Sequence, residues 1–93
     1  MRAASRVDAN HRQIRAALER IGWLVIDFSA VGRGIPDLYA VKAGRAVWLE
    51  VKDGDKPPSA RILTPDQERL HARLRAAGAE IHILTSIEEA IRL

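Results

Sequence analysis

Apolar positions recur at helical spacing early in the chain and in strand-like runs after it. Between residues 6 and 20 they fall on one face of a helix, and Gly22 supplies a stop signal. The positions on this face are Val7, Ile14, Ala17, Leu18 and Ile21. Ser5 followed by Asp8 fits a helix start. The run WLVIDF at 23–28 is rich in β-formers and predicts a first strand.

Two further β-rich runs predict a hairpin. They cover residues 37–41 and 46–52, and the segment KAGR joins them with Gly44 in the turn. A loop that contains two glycines and Pro36 precedes the first run. Residues 53–63 follow the second run, and their glycine and prolines predict a mobile loop.

The remainder of the chain predicts a helix, a strand and a short helix. Thr64 as N-cap and Gln67 at the third helical position mark the start of the second helix, and its buried stripe is predicted to be Leu70, Leu74 and Ala77. Residues 80–84 alternate like a strand. Ser86 and Glu89 form a capping box for the last helix.

The predicted order is therefore α-β-β-β-α-β-α. A helix between the last two strands implies that they are parallel and joined by a right-handed crossover. We expect a single α/β domain over residues 1–93, in which a small mixed sheet is flanked by helices.

Composition narrows the class of protein. A chain of 93 residues buries only a modest core, so a partner subunit would add stability. There is no cysteine, which excludes disulfides and thiolate metal sites. No apolar run approaches the ~20 residues of a membrane span, and the N-terminus has no apolar signal region. We therefore expect a cytoplasmic protein.

The net charge of +3 is concentrated near the N-terminus. Residues 1–20 carry five arginines against Asp8 and Glu19, whereas the remaining chain is neutral. A basic first helix suits contact with nucleic acid, although a solvated Arg-rich face fits equally well. The segment Lys56 to Arg61 either closes over DNA or is a disordered loop. The predicted DNA contacts are Arg12, Arg15, Lys56 and Arg61.

The hairpin register brings two acids together. If the turn is symmetric about Ala43 and Gly44, paired residue numbers sum to 87, and Asp37 faces Glu50. Directly opposite residues have Cβ atoms about 5 Å apart. Two carboxylates at that separation repel each other unless a cation lies between them, and oxygen ligands suit a divalent cation.

Lys52 lies two residues beyond Glu50 and therefore on the same sheet face. A lysine ammonium group next to a metal held by two carboxylates is an arrangement suited to the hydrolysis of phosphodiesters. The metal polarises the phosphate, and the lysine orients water or stabilises charge in the transition state. The alternatives are a charged strand edge and an Asp37 that only caps the turn after Pro36. A bulge in the hairpin would also shift the register.

At these residues the sequence resembles the PD-(D/E)XK nucleases. Their signature corresponds here to Pro36-Asp37 and Glu50-Val51-Lys52. The segments GRGIPDL, GRAVWLEVK and KPPSARILTPDQ resemble the short phage versions of the virus-type replication-repair nuclease domain, VRR-NUC, and the resemblance runs from about Asp8 to Leu84.

The resemblance implies a restriction-endonuclease-like αβββαβ core and a metal site. It implies that Asp37, Glu50 and the backbone carbonyl of Val51 ligate Mg²⁺ or Mn²⁺, and that Lys52 is the catalytic lysine. Gln67 would stand near the site as a further catalytic residue. The family often has an acid in the first helix, where Asp8 is the nearest match and Asn10 lies behind it.

Several of these residues also have a purely structural explanation. Gln67 fits a capping box, and Asp8 would favour the helix dipole. His71 shares a helical face with Gln67, but we expect it to be a surface histidine. The resemblance implies a structure-selective endonuclease like the Holliday-junction resolvases, acting as a homodimer on branched DNA. The alternatives are a nicking or flap nuclease, or a non-catalytic nucleic-acid-binding module.

Overall fold

The elements follow the predicted order in the computed structural model, which describes residues 9–93. The helices and strands are α1 (Ala9–Arg20), β1 (Leu24–Asp27), β2 (Leu38–Lys42), β3 (Arg45–Val51), α2 (Pro65–Ala76), β4 (Ile81–Leu84) and α3 (Ile87–Ile91), with one short 3₁₀ turn at Pro58–Ala60. Ser5, Val7 and Asp8 lie outside the described residues. No helix within residues 9–93 is long and apolar enough to cross a membrane.

The four strands form one mixed sheet in the order β1-β2-β3-β4. The first three strands are antiparallel, whereas β3 and β4 are parallel as predicted. The predicted hairpin register is confirmed, because Tyr39 pairs with Trp48 and Val41 with Ala46. Ala43 and Gly44 have φ values of 51° and 81°, as a type I′ turn requires.

One face of the sheet carries the hydrophobic core. Strand alternation points Leu38, Ala40, Val47 and Leu49 to this face, and all four are fully buried. Ile14 and Leu18 of α1 and Ala90 of α3 pack against them. The predicted stripe of α1 is thus confirmed within the described residues, and so is the α/β class.

α2 begins as predicted, but its buried face differs from the prediction. Thr64 and Gln67 form a complete capping box, in which each side chain bonds the other residue's backbone N–H. Leu70 and Leu74 are only half-buried. Ala77 was wrongly placed in the stripe, because it is the C-cap residue and exposed.

The capping box predicted for α3 is only half formed. The Ser86 hydroxyl accepts from the Glu89 backbone N–H at 3.2 Å, as expected. The Glu89 carboxylate, however, accepts from the backbone N–H and the hydroxyl of Thr85 instead of from the Ser86 N–H.

The loop between β1 and β2 lies directly against the start of α2. Gly34 has a φ of +82°, and a Cβ at this position would lie 2.4 Å from the Asp66 carbonyl oxygen. Gly32 has a φ of +73°, but nothing lies within 4 Å of its Cβ position. The close approach at Gly34 fixes Pro36 and Asp37 relative to Gln67 across the loop.

Gly34→Ala should destabilise the protein much more than Gly32→Ala. The left-handed backbone alone should cost about 1 kcal/mol at Gly32. At Gly34 the new Cβ would also collide with the backbone of Asp66. This overpacking should bring the total loss of unfolding free energy to about 3 kcal/mol or more. Urea unfolding of both variants measures the difference. Equal losses would show that the loop does not pack closely on α2.

Candidate active site

Asp37 and Glu50 lie together at one end of the hairpin. Asp37 immediately precedes β2, and the register of the hairpin continues to Glu50 on β3. The backbone N–H of Val51 donates to Asp37 Oδ2 at 2.9 Å, and the side chains of Asp37 and Glu50 are hydrogen-bonded. Because Glu50 is only 1% exposed, the carboxyl pair is shielded from water on one side.

Burial and the neighbouring acid change the ionisation of Glu50. Desolvation by burial, followed by the hydrogen bond and the negative charge of Asp37, raises the pKa of Glu50 to about 9, and the charge of Lys52 lowers this pKa in part. In the metal-free protein at neutral pH, Glu50 therefore holds a proton. A cation that occupied the site would displace this proton.

Gln67 connects Lys52 to the carboxyl pair. Its Oε1 accepts from Lys52 Nζ at 3.0 Å and from the Thr64 backbone N–H at 2.9 Å. Its Nε2 therefore faces Glu50 and donates to Oε2 at 3.2 Å. The capping explanation and the site explanation of Gln67 are thus compatible, since one amide group makes both sets of contacts.

His71 was wrongly expected on the surface. It is 1% exposed, and its Nε2 lies 3.1 Å from Glu50 Oε1. Burial, Arg75 and Lys52 lower the pKa of His71, so the ring is neutral at physiological pH. The signal available in the sequence was its spacing from Gln67, since residues i and i+4 share a helical face.

Asn10 is the residue by which α1 contacts the candidate site. Its amide Nδ2 donates to the Lys52 backbone carbonyl at 2.8 Å and so ties α1 to the end of β3. Asp8, the predicted metal ligand, lies outside the described residues. Within residues 9–93, no group of three or more His, Asp or Glu side chains is arranged to hold a metal ion.

The donor set that is present fits a hard divalent cation. Asp37 and Glu50 supply two adjacent carboxyl groups, and Val51, which follows Glu50 on β3 and bonds Asp37 through its N–H, has a backbone carbonyl to add. Oxygen ligands are those that Mg²⁺ prefers, and it usually takes only one or two carboxylates from the protein. Burial and Asp37 raise the pKa of Glu50 by more than the charge of Lys52 lowers it, so the lysine alone does not keep this carboxyl group ionised.

Comparison with known proteins identifies the family. No family model matches the chain. A solved structure described as "VRR_NUC domain" superposes with a TM-score of 0.66 and 32% identity, over 88% of this chain and 86% of that one. A protein of Acyrthosiphon pisum secondary endosymbiont phage 1, named "Putative nuclease p44", is 36% identical over 84 residues, which cover 87% of this chain and 84% of that protein. The chain belongs to the VRR-NUC family.

The four basic residues predicted to contact DNA occupy different surroundings in this VRR-NUC domain. Arg12 and Lys56 are exposed. Arg15 pairs with Glu19 at 3.4 Å and with Asp27 at 3.3 Å, so its guanidinium already has carboxylate partners. Arg61 is half-buried and follows the 3₁₀ turn, where its backbone N–H donates to Pro58. DNA contact by these residues stays a prediction.

Glu50→Gln should stabilise the metal-free VRR-NUC domain increasingly as pH rises. The folded pKa of Glu50, about 9, lies above the unfolded value of 4.5. The folded protein therefore binds more protons than the unfolded chain between these values, and wild-type stability falls as pH rises through this window. At pH 9 the free energy of unfolding of Glu50→Gln should exceed that of the wild type by more than about 1 kcal/mol.

Urea unfolding in EDTA at pH 5, 7 and 9 measures this effect. Glu68→Gln, at an exposed position of α2, serves as the control. Its free energy of unfolding should differ from that of the wild type by the same amount at all three pH values. An advantage of Glu50→Gln that does not grow with pH would contradict the assigned ionisation of the carboxyl pair.

Proposed function

We propose that this VRR-NUC protein is a metal-dependent endonuclease that hydrolyses phosphodiester bonds in branched DNA, such as four-way junctions. The observation that carries the proposal is the pair of carboxyl groups of Asp37 and Glu50, joined to Lys52 through Gln67. The nuclease named among its relatives supports the reaction class, and it is a phage protein. An enzyme of this kind would act on DNA in the host-cell cytoplasm.

The carboxyl pair is the proposed site of Mg²⁺ or Mn²⁺. Asp37, Glu50 and the Val51 carbonyl would hold the cation, and Asp8 is a further proposed ligand. When bound, such a cation polarises the scissile phosphate and makes water a stronger acid. Binding of the cation would also lower the pKa of Glu50, because the positive charge of the metal would replace that of the proton.

Lys52 is the proposed catalytic cation of the chain itself. Its Nζ lies 3.0 Å from Gln67 Oε1, which holds the ammonium on the face of the sheet that carries Glu50. From there it would orient the attacking water and stabilise the negative charge that develops on the phosphate. Asn10 supports this placement by fixing the Lys52 carbonyl. The proposed contacts to the DNA backbone are Arg12, Arg15, Lys56 and Arg61.

Cleavage should require both the divalent cation and the predicted side chains. We expect the purified protein to cut a labelled four-way junction with Mg²⁺ or Mn²⁺ and not with EDTA. Asp37→Ala and Lys52→Ala should each lower the rate by at least ~10²-fold while DNA binding is retained. Lys42→Ala, which removes an exposed lysine at the turn end of β2, should cut like the wild type.

The substrate panel also separates the alternatives. Flap and linear duplexes run beside the junction, and strand-resolved mapping shows where each is cut. Paired symmetric cuts on the junction support resolution, whereas cuts confined to flaps or to one strand indicate a flap or nicking nuclease. Binding without cleavage on any substrate would contradict the proposal and indicate a non-catalytic binding module.

A homodimer is the proposed assembly, and an exposed apolar part of one sheet face supports it. Leu24 and Ile26 on the edge strand β1 are 65% and 45% exposed. Tyr39 and Trp48 lie on the same face, and their rings contact each other in a tilted arrangement with centroids 4.7 Å apart. An apolar surface of this kind marks an interaction site, and a two-fold pairing of two copies would cover it and present two active sites to one junction.

Ile26→Asp should convert a dimer into a monomer. An aspartate at this position would be buried in the proposed interface without a partner charge, and its desolvation opposes association. Sedimentation velocity at micromolar concentration measures the change. Ile62→Asp, which alters a more exposed isoleucine in the loop before α2, should leave the dimer intact. A monomeric wild-type protein would contradict the proposed assembly.

A further inference from the structure

His71 is buried beside the active site without a role in the proposed reaction. It lies on α2 one turn beyond Gln67, and its side chain is only 1% exposed. Its Nδ1 has no hydrogen-bond partner among the described residues. A polar ring that is buried and half unpartnered costs stability relative to an apolar side chain of similar volume. Within residues 9–93, the polar contact of the ring is the one from Nε2 to Glu50 Oε1, at 3.1 Å.

The direction of this hydrogen bond follows from the partners of the ring. When a cation displaces the proton of Glu50, the ionised carboxylate only accepts hydrogen bonds, so the proton of a neutral His71 then has to sit on Nε2. Nδ1 is then an unprotonated nitrogen, and no buried N–H is left without an acceptor. The lone pair that remains at Nδ1 matches the lack of a partner there.

The two oxygens of Glu50 are each held by one donor from α2. Nε2 of His71 contacts Oε1, and Nε2 of Gln67 contacts Oε2 at 3.2 Å. Each carboxylate oxygen has two lone pairs, so one remains on each oxygen for a cation. Since the donors are four residues apart on one helix, they fix the orientation of the carboxyl group with respect to Asp37.

We propose that His71 is a positioning residue for Glu50, whose Nε2–H holds Oε1 so that the free lone pairs face Asp37 and the divalent cation. This inference rests on the proposed metal-dependent function. Donors that orient a ligating carboxylate in this way typically contribute 10–100-fold to metal affinity. His71 itself contacts neither the cation nor the substrate.

A residue that only fills space would behave differently from a positioning residue. His71→Leu keeps most of the buried volume and removes the unpartnered Nδ1, so packing alone predicts a folded protein with unchanged metal affinity. His71→Gln supplies an amide N–H₂ close to the position of Nε2 and should rescue a positioning role. Leu74→Ala, a turn further along α2, loses packing without touching Glu50 and serves as the matched control.

The test is Mn²⁺ binding by isothermal titration calorimetry, in the absence of DNA. Wild type, His71→Gln and Leu74→Ala should bind Mn²⁺ with similar affinity, whereas His71→Leu should bind ~10–100-fold more weakly. In cleavage assays, the Mn²⁺ concentration for half-maximal rate should rise in His71→Leu by the same factor, with KM for DNA unchanged.

The outcomes separate this inference from the proposed function. If wild type and His71→Leu bind Mn²⁺ equally, His71 is only a packing residue and the inference is overturned. If the wild type binds no Mn²⁺, the metal-dependent function fails and the inference fails with it. Should His71→Leu not fold, His71→Asn replaces it, because its amide is too short to reach Oε1 and the same loss is expected. Unchanged affinity in His71→Asn overturns the inference in the same way.

Discussion

The structure depends on the burial of one acid next to another. Glu50 is almost completely buried on β3 and hydrogen-bonded to Asp37, and its burial, followed by the contact with Asp37, raises its pKa to about 9. Two buried carboxylates that are both ionised repel each other, so the pair must hold either a proton or a bound cation. The paired strands, the helix above them and the loop before Asp37 all serve to maintain this arrangement.

The same contacts stabilise the fold and shape the site. Gln67 caps α2 through Thr64 and also bridges Lys52 to Glu50, so helix formation and site assembly occur together. Asn10 ties α1 to the end of β3, and Gly34 lets the preceding loop touch α2. A domain with so modest a core thus uses polar contacts at the site as part of its tertiary structure.

The sequence predicted those features that depend on local rules. The two-residue turn at Ala43 and Gly44 determines the hairpin register, and strand alternation then places Lys52 on the face of Glu50. The burial of His71 was not predictable in this way. It depends on how α2 packs over Glu50, on the sheet face opposite the hydrophobic core. The approach of Gly34 to Asp66 is likewise a contact between segments distant in sequence.

The most direct test of the carboxylate metal site is a crystal structure of the protein grown with Mn²⁺ and measured at the manganese absorption edge. An anomalous peak is expected between the carboxylates of Asp37 and Glu50, with metal–oxygen distances of about 2.0–2.2 Å and the Val51 carbonyl as a further ligand. Crystals that show manganese only elsewhere, or the two carboxylates turned apart, would contradict it.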